Sequence, residues 1–483
     1  MDLTVLLDMA AEGFADRTLV DGLTTRQLRD AARAGAGLLA ESGATSVVHL
    51  AANGPAFPVA LFAAASAGVP FVPLNYRLGT DQLRTLLTHH PGAWIIADER
   101  HGPLVPHSHT PRSWLDTTLT RAPSDRVPRA SDPAVIIYTS GTTSAPKGVL
   151  LRHHNLVSYV VGGVEFGSAG PDEAALMCVP PYHIAAVSNV LTNLYAGRRL
   201  VVLDAFSPTR WLELVRAEGV TNAMVVPTML ARLMEEPESR RSVPTLRTLA
   251  YGGAAMPPRV IEQALRAWPD VGFVGAYGLT ETSSTIAVLG PDDHREAAAS
   301  EDPEVRARLH SAGRPIPGVE IEIRGTDGTP VPYGVPGRVR VRGAQVSGEY
   351  AGAPGAGDGW FDTRDLGQLD REGFLFIRGR EDDTIIRGAE NIAPAEIEDV
   401  LLRRPEVADA VVVGVPDEQW GQRIEAVVVP ARGASLDPEE LRAEVRRRLR
   451  GSKTPDRIVV WNEIPRTATG KVLRRDVATE LGG

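Results

Sequence analysis

Between residues 19 and 75 the chain alternates helix-length segments with short apolar runs. "TTRQLRDAARAGAGLLAESG" is followed by "SVVHLAAN", then by "AFPVALFAAASAG" and "VPFVPL". Helices that alternate with buried strands have to cross over a sheet, so this rhythm calls for parallel strands covered by helices. It returns later, where "LELVRAEG" precedes "NAMVVP" and "LRTLAYGG" leads through "PPRVIEQALRAWP" to "VGFVGAYG". After residue 315 the pattern shortens to strands broken by Gly and Pro, "VEIEIRGTDGTPVPYGVPGRVRVRG", which reads as an antiparallel β subdomain. The C-terminal part looks separate. "GREDDTIIRGAENIAPAEIEDVLLRRPEVADAVVVGV" runs turn, strand, loop, helix, strand, and "SLDPEELRAEVRRRLRG" is a helix capped by Asp437 with Pro438 in its first turn. The expected fold is α/β: an N-terminal domain, residues 1–380, of helix-covered mixed or parallel sheets plus a β subdomain, and a small α+β C-terminal domain, residues 381–483.

Composition narrows the function. A net charge of −9 argues against a nucleic-acid partner, whose binding domain would be basic. The N-terminal "MDLTVLLDMAAEGFADR" has no basic start of a signal peptide. No apolar run reaches the ~18 residues of a membrane span. The one cysteine, Cys178 in "EAALMCVPPYH", excludes an internal disulfide and reads as a small core residue. These features suit a cytoplasmic protein. Of the 51 basic residues only three are lysine, Lys147, Lys453 and Lys471. Where arginine supplies surface charge by default, a retained lysine points to a need for a compact ammonium.

Lys147 ends "YTSGTTSAPKG", in which hydroxyl side chains crowd around two glycines. "AVIIYTS" and "KGVLLRH" flank it as strands, making it a hairpin-like loop. Exposed amides, hydroxyls and one ammonium suit a polyphosphate; an ordinary polar turn is the alternative. The spacing differs from the Walker A pattern. Other stretches lie where a parallel sheet binds ligands, at strand C-terminal ends: "YGGAAM" and "YGLTE". Glu281 offers a hard oxygen for Mg²⁺, "GWFDTRDLG" presents Asp362 and Asp365, and "PRTATGKVLRR" carries Lys471. Singly, each is as compatible with a turn.

Together, in this order, these stretches resemble the adenylate-forming superfamily, which includes acyl- and aryl-CoA synthetases and nonribosomal adenylation domains. "YTSGTTSAPKGV" is similar to its phosphate loop, "YGLTE" to its Tyr-Gly-x-Thr-Glu motif, "WFDTRDLG" to its ribose motif, "GREDDTIIRGAENIAPAEIE" to its hinge, and "PRTATGK" to its lysine loop. The resemblance runs from about residue 20 to the end. It implies that Thr139, Ser140, Gly141, Thr142, Thr143 and Lys147 hold the β- and γ-phosphates of ATP. It places Gly252, Gly253, Ala254 and Tyr277 around adenine, Thr280 on the α-phosphate, Glu281 on Mg²⁺, and Asp365 and Arg380 on ribose. Lys471 would bridge the carboxylate and the α-phosphate. Asp382 would be the hinge of a mobile C-terminal domain. His183 would lie beside the acyl group. The acyl pocket would take in His183, Ala185, Ala186, Val226, Gly253, Ala254, Gly278 and Ser283, and the thiol tunnel Gly388, Ala389 and Glu390.

The pocket stretches carry no charge beyond His183, which fits an uncharged, mostly apolar acid, aromatic or medium-chain. The implied reaction forms acyl-AMP and pyrophosphate, then passes the acyl group to coenzyme A. Transfer to a carrier-protein thiol in trans, to an amine or to another small nucleophile is the alternative. A homodimer is compatible with either. The chain departs from the family pattern at Ser144, Arg364 and Ala389, each where glycine is usual, and at Gln422, where glutamate is frequent. Ala389 bears most directly on the coenzyme A assignment, because it falls in the tunnel.

Overall fold

The structure is a computed structural model. It describes residues 2–482 apart from 125–131, 140–145, 353–357, 388–389, 450 and 468–469. Ser140, Gly141, Thr142, Thr143, Gly388 and Ala389 therefore lie outside the described residues.

The alternation of apolar runs and helices resolves into two helix-covered sheets. The larger has nine strands, in the spatial order Arg314–Pro315, Ser284–Leu289, Gly272–Leu279, Thr248–Gly252, Asn222–Val225, Ala174–Met177, Arg199–Val202, Thr18–Val20 and Leu23–Thr24. Its centre is parallel, and antiparallel strands close both edges. The second sheet has five strands, ordered Trp94–Ala97, Val47–Leu50, Phe71–Pro73, Val135–Thr139 and Lys147–Leu151. All its pairings are parallel except the last, the hairpin expected around the hydroxyl-rich loop. The Ala56–Ala67 helix is apolar all round because it is sandwiched, with Phe57, Leu61 and Phe62 fully buried.

Residues 319–380 form the expected antiparallel subdomain, a four-stranded meander of Val319–Arg324, Gly337–Gly343, Phe361–Leu369 and Leu375–Arg380. From residue 385 onward the buried apolar residues gather into clusters that contain none of the earlier residues. Their frame is the three-stranded sheet Val407–Asp417, Gly421–Pro430 and Arg457–Val460. Helix Pro438–Arg448 starts where its cap predicts, with the Asp437 carboxylate accepting from the Glu439 amide at 2.9 Å. Its basic end is solvated, and Arg447 and Arg448 pair with Glu444. The loop expected around "RGAEN" is instead partly paired, as strands Ile385–Arg387 and Glu390–Ile392.

One buried residue predicts a stability response. His49 lies inside the five-stranded sheet between Phe57 and Phe71, and among the described residues neither ring nitrogen has a partner. Burial pushes it down to about 3. Below pH 6.5 the unfolded chain gains a proton that the folded chain refuses, so stability falls with pH across the window from 6.5 to about 3. His49→Phe should reduce the loss in unfolding free energy between pH 7 and pH 5 by about 2 kcal/mol, read by urea unfolding at both values.

Candidate active site

The C-terminal ends of the parallel strands set the floor of a cleft. Strand Thr248–Gly252 ends at Gly252, and strand Gly272–Leu279 carries Tyr277 and Gly278 to its end. A Cβ on Gly252 would lie 2.5 Å from the Ala276 carbonyl oxygen, and one on Gly278 would lie 1.9 Å from that of Ser284. Close backbone approach accounts for both glycines whatever they bind. A 3₁₀ turn, Thr280–Thr282, follows and delivers Glu281.

Glu281 is 9% exposed. The Tyr350 hydroxyl donates to its Oε1 at 2.7 Å, and among the described residues its Oε2 has no hydrogen-bond partner. A single carboxylate with one free oxygen suits a magnesium ion that draws its other ligands from phosphates and water. No cluster of three or more His, Cys, Asp or Glu residues able to hold a metal occurs among the described residues.

Asp365 comes from the β subdomain, opposite Arg380 in the strand register, with their ion pair at 3.7 Å. The Tyr277 hydroxyl donates to Asp365 Oδ2 at 2.5 Å, across from the nine-stranded sheet. Burial pushes the Asp365 carboxyl up, while Arg380, the Tyr277 hydroxyl and Lys471 pull it back down. Burial above all, with Asp365 second, holds the Tyr277 phenol protonated.

Lys471 enters the same cleft from the C-terminal part. Its loop is pinned from behind: Arg466 donates to the Gly470 carbonyl oxygen at 2.7 Å and holds Asp409 with both oxygens at 2.7 and 2.8 Å. The Thr467 hydroxyl accepts from the Lys471 amide at 3.1 Å. Gly470 presses on the N-terminal part, where an added Cβ would meet Thr228 Oγ1 at 3.0 Å. The Lys471 side chain keeps solvent contact, yet the cleft crowds it. Desolvation first, then Arg380, lowers its pKa, while Asp383, Asp365 and Glu281 oppose that shift. The ammonium thus stands among the carboxylates expected to face magnesium and ribose.

Lys147 opens the strand after the hydroxyl-rich loop, 5.9 Å above the Tyr350 ring. A cavity of about 410 Å³ lies beside it, lined by His89, His90, Tyr138, Lys147 and Tyr350 among others. Thr139 ends the preceding strand.

Residues 7–351 match the family model described as AMP-binding enzyme, and residues 396–471 match that of its C-terminal domain. The chain belongs to the AMP-binding enzymes. It is 35% identical over 454 residues to a feruloyl-CoA synthase of Amycolatopsis, covering 90% of this chain and 89% of that one. It is 32% identical over 445 residues to a fatty acid–acyl-carrier-protein ligase of Streptomyces coeruleorubidus, covering 88% and 84%. Among solved structures, the o-succinylbenzoate-CoA synthetase of Bacillus subtilis bound to its acyl-adenylate superposes with a TM-score of 0.83 at 29% identity, over 98% and 97% of the two chains. The same Bacillus enzyme has also been solved with ATP and a magnesium ion.

Within this AMP-binding enzyme, two expected pocket residues point elsewhere. Ser283 takes a left-handed φ of 56°, which turns its hydroxyl onto the Gln345 carbonyl oxygen at 2.8 Å and buries it completely. Ser284 faces the Ile184–Ala196 helix in its place, 3.4 Å from the Ser188 hydroxyl. Ala186 is fully buried in the main core, while Ala185 on the next face keeps free surface. Val226 borders Gly470, and Gly253 and Ala254 follow the strand end at Gly252. His183 caps the same helix with its backbone, its ring 4.6 Å from that of Tyr182. Burial, then Arg77, pushes it down to about 4. Cys178 is a core thiol, pushed up by burial to about 12.

Sequence reasoning passed over Arg77 and Tyr350. Arg77 lies just past the C-terminal end of strand Phe71–Pro73, so the strand-end rule applied to "YGGAAM" would have found it. Tyr350 carries no such signal. At residue 364, where glycine is usual, the chain holds a strained turn. Arg364 adopts a left-handed φ of 59° and sends its guanidinium to Asp382 at 3.6 Å. Arg364→Gly and Arg364→Ala both remove that exposed charge, but only glycine relieves the backbone. Urea unfolding should find Arg364→Gly more stable than Arg364→Ala by about 1 kcal/mol.

Proposed function

We propose that this AMP-binding enzyme activates an uncharged carboxylic acid with ATP and passes the acyl group to coenzyme A. The convergence of Lys471, Glu281 and Asp365 carries the reading: one cation from the C-terminal part stands among carboxylates from two other units. Similarity to aryl- and acyl-activating enzymes over most of both chains supports it.

In the first half-reaction the carboxylate oxygen attacks the α-phosphorus and the bond to pyrophosphate breaks. Two anions approach each other, so fixed positive charge lowers the barrier. Lys471 provides it at the carboxylate and α-phosphate. Lys147 and Thr139, with the loop residues 140–143, retain the leaving pyrophosphate. Thr280 donates to the α-phosphate. Asp365, paired with Arg380, accepts from the ribose hydroxyls, and the Tyr277 ring packs against adenine with Gly252, Gly253 and Ala254. Glu281 would hold magnesium, which offsets phosphate charge when bound.

In the second half-reaction the thiol sulfur bonds to the acyl carbonyl and AMP leaves. Rotation about Asp382 withdraws Lys471 and brings residues 388–390 to the site. The separate hydrophobic clusters on either side of residue 385 support such a rigid-body swing. His183, neutral above about pH 4, is a poor base near neutrality and acts through shape and hydrogen bonding beside the acyl group.

For the acid, the Ile184–Ala196 helix places Ala185, Ser188 and Asn189 on one face by spacing. Small residues with a few hydroxyl and amide groups favour an aryl acid bearing a polar substituent. The test is pyrophosphate release with ATP, Mg²⁺ and a panel of hydroxylated aryl, plain aryl and medium-chain acids, with and without coenzyme A. A coenzyme-A-dependent thioester is expected. Release that stops at the adenylate would instead favour a carrier-protein or amine acceptor.

Lys471→Ala should lower adenylate formation by about 10²- to 10³-fold. Thioester formation from pre-formed acyl-adenylate should stay within a few-fold, measured by single-turnover assays of each half-reaction. Equal loss in both, with the fold intact, would remove Lys471 from its role.

A further inference from the structure

Residues 347–351, Ser-Gly-Glu-Tyr-Ala, strap two walls of the cleft together. On one side the Ser347 and Gly348 amides donate to the Glu281 carbonyl oxygen at 2.9 and 3.0 Å. On the other, the Ala351 amide donates to the Gly148 carbonyl oxygen at 2.8 Å, and the Leu150 amide donates to that of Glu349 at 3.0 Å. The Ser347 hydroxyl donates to the Leu150 carbonyl oxygen. Arg152 grips both oxygens of Glu349, at 3.0 and 2.8 Å. The strap thus fixes the strand that begins with Lys147 against the turn that carries Glu281.

Tyr350 sits in the middle of it. Its hydroxyl donates to Glu281 Oε1 at 2.7 Å, and its ring lies under the Lys147 ammonium, 5.9 Å from Nζ to the centroid. Desolvation and the neighbouring Glu281 keep the phenol protonated, so it remains a donor at any working pH. The Tyr277 hydroxyl is committed to Asp365, and that of Tyr138 pairs with His90 at 2.9 Å.

We propose that Tyr350 is a positioning residue: by holding one oxygen of Glu281 it presents the other to the phosphate-bound magnesium ion, and its ring keeps Lys147 directed at the same phosphates. The proposal rests on reading Glu281 as the magnesium ligand. The chemistry is simple. A carboxylate turns readily about its last torsion, and a charge-assisted hydrogen bond to one oxygen removes that freedom before the metal arrives. In a cleft that also holds Lys471, an unfixed Glu281 has a competing cation to turn towards.

Tyr350→Phe keeps the ring, the strap and the contact under Lys147, and removes only the donor. The Mg²⁺ concentration giving half-maximal ATP–pyrophosphate exchange should rise roughly tenfold, the size of one hydrogen bond to a charged group. The KM for the acid should not move. A second readout needs no turnover. Without acid, ATP alone should raise the melting temperature of both proteins equally, whereas the further rise on adding Mg²⁺ should shrink in Tyr350→Phe. In a Glu281→Gln background Tyr350→Phe should add nothing to the Mg²⁺ requirement, since Tyr350 acts through Glu281. An unchanged Mg²⁺ requirement with a lowered melting temperature of the free protein would make Tyr350 a packing residue and overturn the proposal. An unchanged requirement in Glu281→Gln itself would instead overturn the metal assignment beneath it.

Discussion

Asp365 is a carboxylate at 6% exposure in the floor of a cleft, and a charge that buried has to be compensated. Its partners come from three parts of the molecule. Arg380 stands on the neighbouring strand, Tyr277 reaches over from the nine-stranded sheet, and Lys471 faces it from the C-terminal part. Satisfying one buried group therefore sets the β subdomain in register with the large sheet. It also gives the C-terminal loop an electrostatic reason to dock. The compensation is unequal in a way that matters. Arg380 and Tyr277 belong to the N-terminal part, so Asp365 would keep its nearest partners in the proposed swing that withdraws Lys471. A cation that can leave without stranding a buried charge is what a two-step reaction with one cleft requires.

The two walls of the cleft are stiff for different reasons. The floor is made of strand ends, where Gly252 and Gly278 allow backbones to approach closer than any side chain permits. The Lys471 loop has no such sheet beneath it. Its position depends on the Arg466–Asp409 pair and on hydrogen bonds to Gly470 and Thr467. Lys471 is thereby tied to the C-terminal part, as the proposed swing of that part requires. The same logic explains why, among the described residues, the strap 347–351 bonds to N-terminal elements alone. The groups expected on phosphate and metal stay together whatever the C-terminal part does.

Much of this was legible in the sequence, and what escaped it did so for identifiable reasons. The parallel sheets follow from short apolar runs alternating with helices, the hairpin Val135–Leu151 from strands flanking a polar loop, and the C-terminal helix from Asp437 and Pro438. Those signals are local. Which of Ser283 and Ser284 faces the Ile184–Ala196 helix is not. Two successive positive φ values, 56° and 108°, break the alternation that would have set which serine faces the cleft. Ala186 was misplaced because adjacent residues on a helix face directions about 100° apart, and the sequence window did not say which was inward. Tyr350 has no pattern at all, since its place comes from its own bond to a residue 69 positions away and from that of Ser347 to one 197 positions away. Arg364 shows the converse case. Its position is left-handed although the residue is arginine, and the side chain gains Asp382 in exchange for backbone strain.

The scarcity of lysine now has a physical reading. Lys453 forms a salt bridge with Glu396 inside the C-terminal part, a structural use. The other two face the cleft, and at 471 arginine is the poorer fit. Lys471 lies within reach of Asp365, Glu281 and Asp383 while Arg380 already occupies the space beside Asp365. A planar guanidinium at 471 would form a two-pronged contact with one of those carboxylates and stay there. An ammonium forms no such fork, so its attraction is shared among several oxygens and passes to whichever anion enters. Burial and Arg380 lower its pKa, while Asp383, Asp365 and Glu281 oppose that shift. A cation that must meet a carboxylate and a phosphate in one step, then depart, is better served by a point charge than by a fork. The genome that wrote arginine almost everywhere else kept lysine in this cleft.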